Sequence, residues 1–413
     1  MKLDQQGSLL VVLAATALFV WIYPTLRNLR QNTTDFDGEI DIAVTNGANS
    51  GPGTLRDAVF RVLRSGRPAS ITLRTDTVTL TTPLPPLTTT HGIRIRSGRA
   101  ISAIDASALR GVPVLDLRAG DIDIRRVEIR NAPAEAVRIS GGNVRLQDTK
   151  IHDSAIGVAG FSGYRLSLVG SELERNGTGV QLNGSGTSLI QNTVFREHAT
   201  AGVWAIQGQS AAADVPSLEI ADSRFDGGRY GVVLGNVLAK VHDNDIANFA
   251  LDGVLVVGGA LDISHNQIRH GGGVGIRALG PSGGAVVANE IQDVHAIGIL
   301  VQASASTRVE GNQLYRNGYG IATVLSEPPA AVRVRDNLML AQTVDGLIVI
   351  GDSPLVADNR VLQNRLAGIR VLDWVSTSTK LKATPNLVGN ELANNGVNEP
   401  VFAVMYAPAG GAR

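Results

Sequence analysis

The chain has 413 residues, 47 of them glycine and only 4% aromatic, a composition that suits a turn-rich, all-β protein better than a large globular enzyme. Lysine plus arginine and aspartate plus glutamate both number 37, and the sequence pI of about 7.1 argues against a nucleic-acid partner, which would require a basic surface. The absence of cysteine excludes disulfides and thiolate metal sites.

The first predicted element is an uncharged apolar run in residues 8–23 (SLLVVLAATALFVWIY). It is longer than the core of a typical signal peptide and slightly short of a typical membrane-spanning helix, and no small-x-small cleavage site follows it. We interpret residues 1–35 as a signal anchor and linker, inserted in the membrane through residues 8–23, with a cleaved signal peptide as the alternative. The expected location is the bacterial inner membrane, with a periplasmic or extracellular domain.

Residues 36–90 are predicted to form an N-terminal cap that contains a short helix at residues 54–65. Thr54 and Asp57 form a start similar to a capping box, with aspartate in place of glutamate. The apolar residues of the segment fall on one helical face, as expected of a helix that covers the open end of a repeat structure: Leu55, Ala58, Val59, Val62 and Leu63.

Two repeated motifs follow along the remaining chain. A glycine followed by valine, isoleucine or leucine recurs at intervals of 22, 23, 29, 22, 22, 23, 22, 26 and 22 residues. A small polar residue two positions before an apolar one keeps the same register. The glycines are Gly157, Gly179, Gly202, Gly231, Gly253, Gly275, Gly298, Gly320, Gly346 and Gly368. The polar residues are Thr149, Ser171, Asn192, Ser223, Asn244, Asn266, Asn289, Asn312, Asn337, Asn359 and Asn390.

This periodicity predicts an all-β, right-handed parallel β-helix over residues 91–407, followed by a tail at residues 408–413. A coil of about 22 residues accommodates three short strands and three turns, and successive coils stack about 4.8 Å apart. Alternate apolar residues such as Val232 and Leu234 then point inward, and the asparagines form a hydrogen-bonded ladder. The glycine leaves room for close approach of the coils. A helical repeat disagrees with the β-alternating segments, and a propeller needs longer repeats.

The repeat resembles the parallel β-helix family that includes pectate-lyase-like enzymes, alginate C5-epimerases and related carbohydrate-binding proteins, over residues 93–405. The segment NSGPGTLRDA at residues 49–58 is similar to the start of many exported bacterial β-helix proteins. The resemblance implies a substrate groove along the strand that carries the glycines. The Asp-Pro-His-Asp motif of the epimerases and the acidic cluster and Arg-Pro strand of calcium-dependent pectate lyases are absent, so neither mechanism can be transferred residue by residue.

Three longer coils have their insertions in the same turn, at residues 207–217, 325–331 and 372–386. Insertions in solenoids often lie on the binding face, although simple loop growth explains them as well. We expect Trp374 in the last insertion to contact substrate.

The outward positions of the glycine-carrying strands form a largely apolar stripe. Because proteins rarely leave such a row exposed to water, we expect a partner or an adjacent segment to cover it. Trp204 is a candidate platform for stacking a sugar ring, and Arg277 and Arg370 are candidate contacts for an anionic sugar. The stripe consists of Gln181, Trp204, Val233, Leu255, Arg277, Leu300, Ala322, Ile348 and Arg370.

Ionisable residues on consecutive turns form the candidate catalytic cluster: Asp252, His270, Arg277, Asp293 and His295. A histidine beside a carboxylate can abstract the proton alpha to a uronate carboxyl, which is the first step of lyases and C5-epimerases. The alternative is that these residues are polar only because their turns face water.

The leading hypothesis is therefore an exported β-helix of the cell envelope that acts on or binds a polysaccharide, with lyase or C5-epimerase activity if it is an enzyme. The alternative is a non-catalytic scaffold that binds envelope proteins or a glycan. No cofactor is expected, and no pair of histidines has a recognisable metal spacing.

Overall fold

The computed structural model describes residues 38–161, 163–207, 217–303, 306–325, 332–376 and 379–406. Two predicted segments lie outside this part of the chain: the anchor at residues 1–35 and the tail at residues 408–413. Most residues of the insertions at 207–217 and 325–331 lie outside it as well. Within the described ranges, no helix is long and apolar enough to cross a bilayer. The described chain divides into two compact units at residues 228 and 229.

The first unit, residues 38–228, consists of parallel coils. From Glu135 onward each coil has three strands in chain order, which we call the a, b and c strands. In one such coil they are Ile156–Gly160, Tyr164–Val169 and Glu172–Glu174. The elements of the unit are β1 (Ile40–Val44), α1 (Leu55–Ser65), β2 (Ala69–Leu73), β3 (Thr77–Thr79), β4 (Ile93–Ser97), β5 (Ser102–Asp105), β6 (Leu115–Leu117), β7 (Asp121–Arg125), β8 (Val127–Arg130), β9 (Glu135–Ile139), β10 (Gly142–Gln147), β11 (Lys150–His152), β12 (Ile156–Gly160), β13 (Tyr164–Val169), β14 (Glu172–Glu174), β15 (Thr178–Asn183), β16 (Gly186–Gln191), β17 (Val194–Arg196), β18 (Ala201–Ile206), β19 (Ser217–Ala221) and β20 (Arg224–Asp226).

The second unit, residues 229–413, has the same coil plan in its described part, but its first three coils join the a and b strands into single long strands. Its elements are β21 (Tyr230–His242), β22 (Asp245–Ala247), β23 (Asp252–Ser264), β24 (Gln267–Arg269), β25 (Val274–Val287), β26 (Glu290–Gln292), β27 (Ile297–Ala303), β28 (Thr307–Glu310), β29 (Gln313–Tyr315), β30 (Tyr319–Val324), β31 (Val332–Arg335), β32 (Leu338–Leu340), β33 (Leu347–Ile350), β34 (Leu355–Ala357), β35 (Arg360–Leu362), β36 (Ile369–Val375), β37 (Lys380–Leu381), β38 (Asn386–Val388), β39 (Glu391–Ala393) and β40 (Val401–Tyr406).

Helix α1 matches the helix predicted at residues 54–65. Thr54 is its N-cap and accepts the backbone N–H of Asp57 at 3.3 Å, while the Asp57 carboxylate accepts the N–H of Gly53 at 3.2 Å. The buried face of α1 contacts β1 and β2. β1 pairs in parallel with β2, and β2 with β4, so the coils extend into the segment predicted as a cap. The capping role of α1 stays a prediction.

The core of each unit is a stack of inward-facing apolar columns. In the first unit, the c strands align Ile151, Leu173, Phe195 and Phe225, each no more than 1% exposed. The rings of Phe195 and Phe225 stack with their centroids 4.6 Å apart. Along each of these strands, the residues on either side of the buried one face outward. This alternation confirms the strand pattern predicted from the sequence.

The repeated glycines lie where the coils approach most closely, as predicted. A Cβ at Gly253 would lie 2.7 Å from the carbonyl oxygen of Gly275, and one at Gly231 would lie 2.6 Å from that of Gly253. Since these contacts are to backbone, no side-chain movement could relieve them.

The predicted asparagine ladder is confirmed in the second unit. The side-chain oxygen of Asn289 accepts both the backbone N–H of Asn266, at 3.0 Å, and its side-chain amide, at 2.9 Å. The same contacts repeat on successive coils, joining Asn244, Asn266, Asn289, Asn312, Asn337, Asn359 and Asn390.

In the first unit, hydroxyl groups occupy this ladder, and one predicted member is wrong. Ser223 Oγ accepts the backbone N–H of Thr193 at 3.2 Å, so Thr193 rather than Asn192 is the ladder residue. Asn192 is exposed and has a left-handed backbone conformation, with φ of 49°. The sequence motif was shifted by one residue because Val194 was read as the inward residue, whereas Phe195 points into the core.

Candidate functional site

The outer surface of the a strands contains the predicted stripe, but much of it is not exposed. Val233, Ala322 and Ile348 are 2%, 1% and 7% exposed, so at these positions the chain itself covers the row, as one of the two expected alternatives has it. Ala322 and Ile348 form a cluster with Leu372, onto which neighbouring partly buried side chains pack: Ile297, Leu300, Tyr319, Val324, Ile350 and Met405.

Asp252 and Arg277, two residues of the predicted catalytic cluster, form an ion pair between successive coils. Asp252 is the first residue of β23 and is 4% exposed. Arg277 donates from Nε to its Oδ1 and Oδ2 at 3.2 and 3.1 Å, and from Nη2 to Oδ1 at 2.9 Å. The backbone N–H of Val274 donates to the same Oδ1 at 3.3 Å. This arrangement ties the start of one coil to the next.

Arg370, predicted to bind substrate, has the same arrangement with Asp345. Its Nε and Nη2 donate to the two carboxylate oxygens at 2.7 and 2.9 Å, and the backbone N–H of Ala367 donates to Oδ1 at 2.8 Å. The bonded carboxylate raises the pKa of Arg370. In register, Arg277 and Arg370 are four coils apart on one face, which corresponds to roughly 19 Å.

His270 and Asp293 occupy consecutive positions in one column of turn residues, with left-handed φ of 56° and 55°. Arg316, next in the column, donates to both oxygens of Asp293 at 2.8 Å. This hydrogen-bonded guanidinium lowers the pKa of Asp293, and the nearby His270 contributes in the same direction. His295 is exposed, and its backbone N–H donates to the Gly271 carbonyl at 2.9 Å.

The structure therefore divides the predicted catalytic cluster into two groups. Asp252 and Arg277 bind each other at the start of the a strands, whereas His270 and Asp293 lie on the turn after the c strands, with His295 farther along the turn of its own coil. Within the described residues, no hydrogen bond joins the ring of His270 or His295 to a carboxylate.

Trp374, predicted to contact substrate, lies on the same strand as Arg370. It pairs with Leu381 of β37 in an antiparallel hairpin and with Met405 of β40 in parallel, and its side chain is half-buried. The hairpin is the described part of the insertion at residues 372–386. Arg370 and Trp374 are separated by four residues along β36, or roughly 13 Å.

Trp204 belongs to the first unit, where the outer a-strand face has a polar and aromatic character. Trp204 is half-buried and lies in register with Gln181 on the preceding coil. Two residues further along that strand is Asn183. On the preceding coil, Phe161 directly follows Gly160, which pairs with Leu182, and is 37% exposed. Arg138, from one coil earlier, lies over the Phe161 ring at 5.4 Å from its centroid.

We call Arg138, Phe161, Gln181, Asn183 and Trp204 the aromatic patch. Its Arg138 is held by Glu135, whose two carboxylate oxygens accept Nη2 at 2.8 and 3.0 Å. Arg138 and Phe161 were not predicted from the sequence. In the coil of Arg138, Ala136 replaces the repeated glycine, so the motif does not mark that coil. Only the pairing of Ile156 with Glu135 in the structure shows that Arg138 belongs to the same outward face.

No group of three histidine, aspartate or glutamate side chains in the described part of the chain is arranged to hold a metal ion.

Comparison with known proteins identifies a relative by sequence. The uncharacterized protein YclG of Bacillus subtilis (strain 168) is 28% identical over 251 residues, which cover 58% of this chain and 41% of YclG. The chain thus spans less than half the length of this relative.

Solved structures that are similar to this chain have little sequence identity with it. The catalytic unit of the thermostable GH87 alpha-1,3-glucanase from Streptomyces thermodiastaticus strain HF3-3 has a TM-score of 0.46 at 13% identity, covering 92% of this chain and 70% of that one. The periplasmic alginate epimerase AlgG has a TM-score of 0.33 at 14% identity, covering 89% and 84%.

A direct family match covers most of the coils described above. Residues 91–214 and 206–365 match the family described as "Right handed beta helix region". These two segments contain both the aromatic patch and the Asp252–Arg277 pair. The chain belongs to the right-handed β-helix family.

Proposed function

We propose that this protein binds or acts on a polysaccharide along the outer face of its a strands, outside the cytoplasm and anchored through residues 8–23. The observation that carries the proposal is the aromatic patch. Phe161 and Trp204 come from two coils separated by one coil, whose strand contributes Gln181, in register with Trp204, and Asn183. Aromatic faces and amide groups match the apolar faces and hydroxyl edges of sugar rings.

The spacing of the patch suits a polymer better than a small molecule. Its residues come from consecutive coils, so equivalent positions repeat about every 4.8 Å along the solenoid. Arg138 adds a cation, which a polymer of sugar acids would contact, although Glu135 already neutralises part of its charge. An acidic or a neutral polysaccharide therefore fits, and Arg138 favours an acidic one.

If the protein is an enzyme, a lyase or C5-epimerase is the class that its exposed histidines support. Both oxygens of Asp252 accept from Arg277, so we assign Asp252 and Arg277 to positioning. His270 would then act as the base, with Asp293 as the next residue of its turn column. His295 would serve the neighbouring sugar.

The alternative is a non-catalytic binding protein, and one observation favours it. The Asp252–Arg277 and Asp345–Arg370 pairs share the same donor atoms and the same backbone contact to the next coil. A geometry repeated four coils apart suits a device that joins coils better than one active site. Such a scaffold would bind an envelope protein or a glycan.

Binding is tested by affinity electrophoresis of the full chain in gels containing alginate, polygalacturonate or dextran. Phe161→Ala should weaken retardation by about tenfold, because it removes one stacking ring. Phe60→Ala is the matched control, since Phe60 is 40% exposed on α1, away from the a strands. The proposal would be contradicted if the two variants were retarded equally, or if the wild-type protein were not retarded in any gel.

Catalysis is tested separately on the same polyuronates. Elimination gives an unsaturated product that absorbs ultraviolet light, and C5 inversion is visible by proton NMR. His270→Ala and His295→Ala should abolish either reaction if the enzymatic form is right. Unchanged polymer with wild-type protein that is retarded in the gel would favour the binding protein.

A further inference from the structure

The last described coil of the second unit ends the apolar core without covering it. Four inward-facing residues of the preceding coil are each no more than 2% exposed: Val356, Val361, Ala367 and Val371. The residues in register with them on the last coil are half-buried or exposed: Leu387, Leu392, Val397 and Phe402. The inward positions of the last coil are therefore open to solvent.

Strand β40 is the edge of the a-strand sheet in this coil. It pairs in parallel with β36 on one side, and within the described residues no strand pairs with its other side. Phe402, Val404 and Tyr406 alternate along the strand on the core side of the sheet and are 67%, 46% and 73% exposed. Edge strands are usually protected by charged residues or proline, because their free N–H and C=O groups can pair with another chain. The sequence of β40, VFAVMY, contains neither.

The first strand of the first unit is an edge strand of the opposite character. β1 pairs in parallel with β2, and helix α1 contacts both strands. Its inward residues Ile42 and Val44 are 2% and 0% exposed, and the exposed Asp41 places a charge on the strand. Since these inward positions are already buried, β1 offers no apolar surface to the last coil of another molecule. A second copy would therefore meet β40 with its own β40.

The alternation along β40 fits antiparallel pairing of the strand with itself. In a dimer with two-fold symmetry, the same surface of each copy meets. An axis at Val404 places Val404 opposite its own copy and Phe402 opposite Tyr406 of the second copy. Residues opposite each other in antiparallel strands lie on one face of the sheet, so all three exposed side chains would be in contact. A charged residue near the axis would face its own copy, and β40 has none.

The residues that follow β40 in the sequence fit the same surface poorly. After Tyr406 the sequence reads APAGGAR, which offers no large apolar side chain to pack on Phe402 or Tyr406. Pro408 also lacks the backbone N–H that strand pairing requires. A second copy, by contrast, supplies two aromatic rings and a valine at matching positions.

We propose that β40 pairs antiparallel with β40 of a second copy of this chain, about a two-fold axis at Val404. The a-strand sheet then continues from one molecule into the other, and the three exposed side chains of β40 are buried between them. Phe402 of each copy contacts Tyr406 of the other, and such cross-strand aromatic pairs stabilise antiparallel sheets. The interface uses no residue of the aromatic patch, so it is separate from polysaccharide binding.

Because the chain contains no cysteine, a single introduced cysteine reports this contact directly. In Val404→Cys the two thiols face each other across the axis. Oxidation of the full chain with copper phenanthroline should therefore convert most of it to a disulfide-linked dimer on a non-reducing gel. Val257→Cys is the matched control and should stay mostly monomeric, since Val257 is 45% exposed but lies on β23. Equal cross-linking of the two variants would overturn the inference.

The mass of the full chain in detergent, measured by light scattering, tests the dimer without a cross-link. Wild type and Val257→Lys should have twice the chain mass of 43.3 kDa. Val404→Lys should have the mass of one chain, because two ammonium groups would oppose each other at the axis. A dimeric Val404→Lys would mean that another surface joins the copies, and a monomeric wild type would also overturn the inference. If that monomer dimerised only after deletion of residues 407–413, those residues rather than a second copy would occupy β40.

Discussion

At the scale of single residues, the clearest departure from the repeat is His198. It occupies a second ladder of turn residues, in the column of Ser154 and Asn176, and is 3% exposed. Its Nδ1 accepts the backbone N–H of Asn176 at 3.2 Å, and its ring packs against the edge of Phe195 at 6.0 Å. Burial disfavours the charged form of the ring and lowers the pKa of His198 to about 4. A protonated ring would also point a second N–H at the N–H of Asn176.

This lowered pKa predicts a specific loss of stability in acid. The native state holds His198 neutral while the unfolded chain protonates it near pH 6.5, so its contribution is complete above that pH and is lost as the pH falls toward 4. We expect about 3 kcal/mol of the free energy of unfolding to disappear over this window. His198→Asn keeps a ladder acceptor without a titrating group and should remove that loss.

Urea unfolding of both proteins at several pH values between 7 and 4 measures the difference. Asp105 and Asp153 have pKa values lowered to about 2, so most of their contribution is lost below pH 4, and the part lost above it is common to both proteins. If His198→Asn lost as much stability as the wild type between these pH values, the buried histidine would not be the cause.

At the scale of elements, the ladders add buried side-chain hydrogen bonds to coils whose strands also pair along their backbones. Asn289 is 1% exposed and joins three consecutive coils. Its amide donates to the Ile263 carbonyl at 2.9 Å and its oxygen accepts from Asn266, both on the preceding coil, and its backbone N–H donates to Asn312 on the next coil. Asn289 lies in the turn between β25 and β26, so the ladder joins the coils outside their paired strands.

Asn289→Leu should destabilise the protein by about 3 kcal/mol, because it leaves the buried N–H of Asn266 and the carbonyl of Ile263 without their partners. Gln267→Leu, an exposed change on a neighbouring coil, is the control and should cost less than about 0.5 kcal/mol. Thermal unfolding measures the stabilities, and amide hydrogen exchange should show faster exchange at Asn266. Equal effects of the two substitutions would refute the ladder's role.

At the scale of the whole molecule, each unit is a stack in which a coil contacts chiefly its neighbours. In the first unit, the register advances by 22 residues between β10 and β13, between β11 and β14, and between β12 and β15. Removing one such repeat brings equivalent positions together, so the local contacts are rebuilt with one coil fewer.

Deletion of residues 149–170, which is one repeat, should therefore leave a folded protein with an unchanged β-sheet signature by circular dichroism. Ser171 would take the ladder position of Thr149, from which it is now one coil away. Deletion of residues 149–159, half of that length, should instead give insoluble or unfolded protein, because it places inward residues at outward positions. Similar behaviour of the two deletions would show that register does not control folding here.

The sequence alone determined the features that depend on period. Alternation of apolar residues along a strand and recurrence of glycine and asparagine about every 22 residues are local patterns, so they predicted the coils, helix α1 and the asparagine ladder. It failed by one residue at Asn192, because both Val194 and Phe195 are apolar and only packing shows which one enters the core. The division of the described chain into two units had no signal in the repeat.

Only the tertiary structure decided which outward residues meet. Asp252 and Arg277 were predicted to lie together, but their mutual hydrogen bonds could not be read from spacing, because they depend on side-chain direction across coils. Burial of Ala322 and Ile348 likewise results from neighbours far along the chain, such as Met405. The aromatic patch likewise consists of residues from separate coils, and this is why the coils could be predicted from the sequence while this grouping of side chains could not.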